Sequence, residues 1–208
     1  EVVRRDFVAN VSHELRTPLT VIRGYLETLL TQVNDDESKK WNKIFHQMYQ
    51  HSLRMENLIE DLLLLSRLES VVEKAEMMPE ISVAKMLQTL CDEAKAISGD
   101  KHHKIVLNID KKLILRGYPN ELKSLFSNLI INAIKYTPEK GEIRIQWFKE
   151  GDEAVFQVVD AGIGIDKAEI PRLTERFYRV DKARSREDGG TGLGLAICKQ
   201  LTKRMGGE

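Results

Sequence analysis

The run Ser12-His13-Glu14-Leu15-Arg16-Thr17-Pro18-Leu19 carries the first set of residues suited to chemistry. Apolar residues recur at Phe7, Val11, Leu15, Leu19 (or Pro18), Ile22, Leu26, Leu29 and Val33, in steps of three and four. That period predicts a helix with one apolar stripe. At about 100° per residue, His13 lies roughly 160° from both Val11 and Leu15, so its ring belongs on the solvent side. Thr17 is one turn on and shares that face, and Glu14 is its neighbour. Pro18 removes a backbone N–H and crowds the Glu14 carbonyl, which predicts a bend one turn after the histidine. Taken alone, the spacing equally describes an exposed histidine beside a proline kink.

A second set lies at Asn128 and Asn132, one helical turn apart, with Lys135 three residues on along the same side. Buried amides usually serve caps or local hydrogen bonds. Two amide oxygens with a nearby lysine also suit Mg²⁺ carrying a triphosphate, because Mg²⁺ takes few protein ligands and keeps phosphate oxygens and waters. The third set is Asp160-Ala161-Gly162-Ile163-Gly164-Ile165. Its glycines let backbone approach a ligand closely, and the aspartate at a strand end can accept a hydrogen bond. The fourth is Gly189-Gly190-Thr191-Gly192-Leu193-Gly194-Leu195, a glycine loop feeding a helix. That geometry is an anion site. No Gly-Lys-Ser/Thr follows, so it is not a Walker A loop, and Leu195 at the third glycine position excludes a Rossmann fingerprint. Between the two glycine clusters stand Arg172, Arg176, Arg179, Lys182, Arg184 and Arg186. A charge run is usually a solvated face, but between two phosphate-type loops it reads as a mobile, basic lid.

The elements that must position these residues fall into two styles. After the first helix, Asn34-Asp35-Asp36 supplies turn chemistry and Ser38 can open a second helix. There Trp41, Ile44, Met48, Met55, Leu58 or Ile59, Leu62 and Leu65 repeat at heptad spacing, with a polar break at His51 or Ser52. His46 reads as a surface residue. Two such stripes are not buried by one hairpin, so a homodimer forming a four-helix bundle is expected. The period is lost near Glu69 and the stretch ends at Met78-Pro79-Glu80, which predicts a linker over 71–80. A helix over Val83–Ile97 follows, then strands at Ile105–Ile109 and Leu113–Leu115, with His102 and His103 in a loop. Pro119 opens a helix to about Tyr136 whose expected core face is Leu122, Leu125, Leu129, Ala133 and Tyr136. Strands at Glu142–Phe148 and Ala154–Val159 are joined through Gly151-Asp152, and the final helix turns Ile197, Leu201 and Met205 inward. The fold class is α+β.

Composition excludes several classes. Lys+Arg and Asp+Glu both total 32, so net charge is zero and nothing points to nucleic acid or an anionic membrane as the main partner. No apolar run approaches the ~20 residues that span a bilayer. Cys91 and Cys198 are isolated in the sequence and read as buried free thiols. With no initiator Met and Glu1 already entering a helix, the 208 residues read as a soluble piece of something longer.

The stretch SHELRTPLT resembles the H box of sensor histidine kinases. Asn128-Leu-Ile-Ile-Asn132-Ala133, Asp160-Ala-Gly162-Ile-Gly164, Phe177-Tyr178-Arg179 and Gly190-Thr191-Gly192-Leu193-Gly194-Leu195 resemble that family's N, G1, F and G2 boxes, in family order. Within the family, residues 174–186 are especially similar to the phosphate-regulon branch. The resemblance implies a dimerisation and phosphotransfer domain (1–70), the linker, and a Bergerat-type α/β sandwich that binds ATP (81–208). His13 would attack the γ-phosphate with Glu14 as general base. Asp160 would receive the adenine amino group, and Asn132 with Asn128 would hold Mg²⁺. Lys135, Arg179 and the amides of residues 190–194 would face phosphates, with Tyr136, Gly162, Gly164 and Lys182 completing the nucleotide site. Glu14 and Thr17 match the family's E-x-x-T phosphatase pattern, with Thr17 positioning water against the phospho-aspartate of a response regulator. The implied setting is the cytoplasmic part of a bacterial inner-membrane sensor, attached through an N-terminal region not in this sequence. The family's ATP domain usually continues past Gly206-Gly207 into two more strands. A gyrase- or chaperone-type ATPase shares the glycine loops but not the H box, and an inert interaction module would have lost Asn132 or Asp160.

Overall fold

Thirty-three consecutive residues without glycine or proline, Ser38–Ser70, form the longest helix among the described residues (α2). In this computed structural model, residues 19–30, 38–70, 79–180 and 191–207 are described. The chain divides into two units, Glu1–Val71 with Arg176–Leu193, and Val72–Glu175 with Gly194–Glu208.

In the first unit, residues 19–30 form a helix (α1) that pairs with α2. Leu19, Ile59 and Leu63 make a buried cluster, with Leu26 and Leu65 also buried. The Arg23 guanidinium bonds the Glu56 carboxylate at 2.6 Å between the helices. The polar break in the α2 stripe is Ser52, which is buried and donates its hydroxyl to the Tyr49 carbonyl. Among the described residues Ile22, Tyr25 and Leu29 on α1, and Trp41, Met48 and Met55 on α2, are exposed in the single chain. His13, Glu14, Thr17 and the bend expected at Pro18 lie outside the described residues.

The first described element of the second unit is a strand, β1 (Glu80–Ser82), which straddles the expected boundary between the linker and the next domain. It pairs antiparallel with β3 (Ile114–Arg116). Between them stand α3 (Val83–Ser98), a 3₁₀ turn (Gly99–Lys101) and β2 (Lys104–Ile109). α3 buries Val83, Leu87, Leu90, Cys91, Ala94 and Ser98, a helical stripe, and ends at Gly99, whose φ of +46° suits glycine. After α4 (Pro119–Tyr136), β4 (Glu142–Glu150) and β5 (Glu153–Asp160) form a hairpin whose two-residue turn contains Gly151 at φ +58°. β4 is the centre of a three-stranded sheet, parallel to β2 and antiparallel to β5. Ile143, Ile145 and Trp147 alternate onto its covered face, as a one-sided sheet requires. Phe126 of α4 meets them, 6.1 Å from the Trp147 ring and 4.3 Å from Phe156. The last helix, α5 (Gly194–Arg204), buries Ala196, Ile197, Cys198 and Leu201. Both cysteines are free and buried, as expected.

One expectation needs correction. The core face of α4 is Leu122, Leu125, Phe126, Ile130, Ala133 and Ile134. Leu129 is half-buried and Tyr136 is 39% exposed. α4 packs against β4 and β5 on one side and against α3 and α5 on others, so its buried arc is broader and turned toward Phe126. That leaves the Asn128–Asn132–Tyr136 side as the rim. His102 and His103 lie in the loop before β2, as read, and His103 is buried there with both ring nitrogens hydrogen-bonded. Met205 of the inward set is half-buried beyond the end of α5.

Candidate functional site

The open rim of α4 is the backbone of the site in the second unit. Pro119 starts the helix without a backbone donor to satisfy, and the broad buried arc fixes which side chains remain outside. Asn128 and Asn132 are half-buried on successive turns. The Asn128 amide nitrogen donates to the Ser124 carbonyl at 3.0 Å, which orients its Oδ1 outward. That oxygen meets the first residue of α5: a Cβ on Gly194 would stand 2.5 Å from Asn128 Oδ1. The close approach brings the amide end of an eleven-residue helix to the rim beside Asn128. A helix N-terminus presents free N–H groups and positive potential to an anion.

Eight residues further along α4, about 12 Å at helical rise, lies Tyr136. Lys135 is at this end of the rim, its Nζ 5.4 Å from the Tyr136 ring centroid. β5 delivers Asp160 here, and the chain turns at once. Asp160 Oδ1 accepts the Gly162 N–H at 2.8 Å, and Ala161 N–H donates to the Glu142 carbonyl at 3.1 Å. Asp160 is exposed, so with one carboxylate oxygen held by its own turn the second is available to an incoming donor. A Cβ on Gly162 would stand 2.9 Å from the Tyr136 carbonyl and collide with Asp160 Oδ1. Gly162 is therefore required by close approach, whereas Gly164 is required by its φ of +70° with open space around it. The arrangement offers an anion-binding end at Gly194 and Asn128, and a single carboxylate acceptor at the other end.

Nearby, Glu142 is the hub of an exposed cluster. Lys104 at 2.8 Å and Arg144 at 2.7 Å both bond it, and their hydrogen bonds and charge lower its carboxyl from the usual 4.5 to about 2.

The first unit holds the other glycine-loop residues. Phe177 N–H donates to the Gly192 carbonyl at 2.9 Å, with both residues at positive φ, +61° and +74°. A Cβ on Gly192 would press on Phe177 backbone at 3.0 Å and on the Arg179 stem at 3.3 Å. The Thr191 hydroxyl accepts the Leu193 N–H at 3.2 Å and donates to Asp61 Oδ2 of α2 at 2.8 Å. Burial pushes the Asp61 carboxyl up from its usual value, opposed by the Thr191 bond and reinforced by the charge of Glu60. Lys182 and Gly190, together with Arg184 and Arg186 of the basic run, lie outside the described residues; Arg172 pairs with Glu175 at 3.4 Å.

Sequence reasoning missed Asp61 and the Tyr136–Gly162 approach. Asp61 stands beside the leucine run of α2, which hid it among surface charges, and a backbone carbonyl leaves no mark on residue types. Among the described residues no group of three His, Cys, Asp or Glu is set to hold a metal. The outward Asn128 oxygen, with Asn132 on the next turn, is the kind of hard oxygen donor that Mg²⁺ takes alongside phosphate.

Two family models match. Residues 3–71 match the His Kinase A (phospho-acceptor) domain, and residues 117–208 match the histidine kinase-, DNA gyrase B- and HSP90-like ATPase. The phospho-acceptor match removes the gyrase- or chaperone-type reading, which has no such domain. The chain is 50% identical over 204 residues to the phosphate regulon sensor protein PhoR of Pseudomonas aeruginosa, covering 98% of this chain and 46% of that protein. It is 40% identical to PhoR of Haemophilus influenzae, covering 94% and 45%. It thus spans about half the length of these curated relatives. The crystal structure of full-length ShkA in complex with AMPPNP aligns with a TM-score of 0.75 at 24% identity, covering 97% of this chain and 41% of that one. That likeness supports the α+β fold. Among the described residues no helix is long and apolar enough to cross a membrane.

Proposed function

The chain belongs to the sensor histidine kinases, and from that premise we propose that it carries the catalytic core of an ATP-dependent protein kinase that phosphorylates its own His13. The observation that carries the reading is the rim of α4, with an anion-binding helix end at Gly194 beside Asn128 and, at the Tyr136 end of the same helix, about 12 Å further along its axis, the exposed Asp160 carboxylate. An extended nucleotide has the same polarity, with phosphates at one end and an amino-bearing base at the other.

In this reading the free Asp160 oxygen accepts the adenine 6-amino group. Asn132 and Asn128 hold Mg²⁺, which when bound neutralises charge on the phosphate oxygens. Lys135, Arg179, Lys182 and the amides of Gly190, Thr191, Gly192, Leu193 and Gly194 face phosphates, and Tyr136, Gly162 and Gly164 line the base end. The His13 imidazole attacks the γ-phosphorus in line, the bond to the bridging oxygen breaks, and ADP leaves. Glu14 holds and takes the proton of the other ring nitrogen. Phosphoryl transfer asks mainly for positioning and charge neutralisation, and a carboxylate beside an imidazole sets its tautomer.

The phosphoryl group then passes to an aspartate of a response regulator, of phosphate-regulon type by the relatives' names. Thr17 directs water to that phospho-aspartate in the reverse, phosphatase reaction. Two copies bury Ile22, Tyr25, Leu29, Trp41, Met48 and Met55 together in a four-helix bundle, and the whole is the cytoplasmic part of a membrane-held sensor. Asp160→Asn tests the base-reading end. Loss of a charge-assisted hydrogen bond weakens ATP by about ten- to a hundred-fold, read by calorimetry. Near-normal affinity in a folded variant rejects the assignment.

A further inference from the structure

The C-terminal end of α4 is clamped by a strap, residues 101–104, that the kinase reading does not use. A helix end leaves its last carbonyls without intrahelical donors. Here the Ala133 carbonyl takes the Thr137 N–H at 3.0 Å. Lys101 Nζ reaches the Ile134 and Lys135 carbonyls at 3.4 and 3.3 Å, and a cation there also favours the helix dipole. His103 Nε2 donates to the Thr137 carbonyl at 3.1 Å. A carbonyl only accepts, so Nε2 carries the proton. The ring's Nδ1 then accepts from the Ser98 hydroxyl at 3.0 Å, while Ser98 Oγ takes the His103 N–H at 3.0 Å. Ser98, His103 and Thr137 are all buried. Two main-chain bonds finish the stitching, Lys140 N–H to the Lys101 carbonyl at 2.8 Å and Lys104 N–H to the Gly141 carbonyl at 3.0 Å.

The Tyr136 carbonyl, between these clamped ones, is the one set against Gly162 at a distance that admits only hydrogen on the glycine. Gly162 in turn donates its N–H to Asp160 Oδ1. A shift of the last turn of α4 therefore moves the Asp160 carboxylate.

We propose that His103, assisted by Lys101, is a positioning residue for nucleotide-base selectivity: by clamping the end of α4 it fixes the Asp160 carboxylate where a 6-amino purine is accepted and a 6-oxo purine is rejected. This rests on the ATP reading above. A carboxylate attracts the amino group of adenine and repels the carbonyl of guanine, so the ratio of the two affinities reports where the carboxylate stands. General loosening of the domain weakens both nucleotides alike.

The experiment measures ATP and GTP binding by calorimetry on the full chain, with melting temperatures alongside. His103→Asn retains an acceptor toward Ser98 and is too short to reach Thr137. His103→Gln extends an amide N–H toward the Thr137 carbonyl. Lys101→Met removes only an exposed ammonium, so this variant folds. The expected result is a loss of about ten-fold in ATP affinity in His103→Asn with GTP nearly unchanged, about the worth of one good hydrogen bond. Lys101→Met loses about three-fold in the same ratio, as suits its longer contacts, and His103→Gln stays within about two-fold of the wild type. Equal loss for both nucleotides, or an unchanged ratio in His103→Asn and Lys101→Met, overturns the proposal. A wild-type chain that does not bind ATP, or does not prefer it to GTP, overturns instead the adenine role of Asp160. If His103→Asn fails to fold, the ratio in Lys101→Met decides.

Discussion

Replacing Gly162 by alanine adds one methyl group where the structure leaves room for none. That methyl would stand 2.9 Å from the Tyr136 carbonyl oxygen and still closer to Asp160 Oδ1, whereas ordinary contact begins at 3.4 Å. The difference, 3.4 − 2.9, is a displacement of 0.5 Å that either the clamped end of α4 or the 160–162 turn must supply. The helix end is bonded through Lys101 and His103, so the turn gives way, and its bond from Gly162 N–H to Asp160 is lost or lengthened. Overpacking of this kind costs about 1–3 kcal/mol, and the displaced carboxylate loses its hydrogen bond to the base, about ten- to a hundred-fold in ATP affinity. Gly164→Ala is the matched control. It puts a side chain at φ +70° but in open space, so it costs about 1–2 kcal/mol of backbone strain without moving Asp160, and ATP binding stays within about three-fold, the range left when no hydrogen bond to the base is lost. Thermal melts and calorimetry on both variants separate the effects. Wild-type ATP affinity in Gly162→Ala, or equal losses in the two variants, refutes the reasoning.

Burial raises the Asp61 carboxyl above its usual 3.8, so ionisation costs the folded state more than the unfolded one. That penalty is fully present above the raised value and vanishes below the usual one. Asp61→Asn, which keeps an acceptor for Thr191, is therefore expected to melt above the wild type at pH 8, with the gap closing as the pH falls toward 4. A gap independent of pH counts against the burial argument. On the H-box face, Glu14→Gln is expected to slow autophosphorylation by about 10²–10⁴-fold, the usual worth of a general base. Thr17→Ala is expected to keep most autophosphorylation and lose dephosphorylation of the phospho-regulator. Parallel loss of both rates in a folded Thr17→Ala chain contradicts that division of labour.

Elements with a strong period were legible without coordinates. α4 begins at Pro119 and ends at Tyr136 as read, because proline and a continuous apolar pattern mark it, and the β4–β5 hairpin is announced by Gly151-Asp152. The face of α4 was harder. Period alone cannot tell a helix flanked by a sheet and two helices from one lying on a single surface, so it does not reveal Phe126 and Ile130 as core and it sets Tyr136 inside. β1 is three residues long, too short for alternation to register. The placement of Asn128 and Asn132 one turn apart on α4 and of Asp160 at the end of β5 was readable because it follows from side-chain type and spacing. His103 was not, since its partners are a hydroxyl five residues back and a carbonyl thirty-four residues on, and backbone acceptors leave no trace in a sequence. The same holds for Thr191 and Asp61, 130 positions apart.

The central claim is that ATP delivers its γ-phosphoryl group to His13. Incubation of the full chain with Mg²⁺ and γ-labelled ATP, followed by acid and base treatment of the labelled protein and peptide mapping, tests it directly. The expected product is one acid-labile, base-stable phosphoryl group on the peptide containing His13, absent in His13→Gln and reduced in Asp160→Asn at limiting ATP. Label that persists in His13→Gln, or that survives acid on serine or threonine, contradicts the claim, as does a chain that binds ATP and acquires no label.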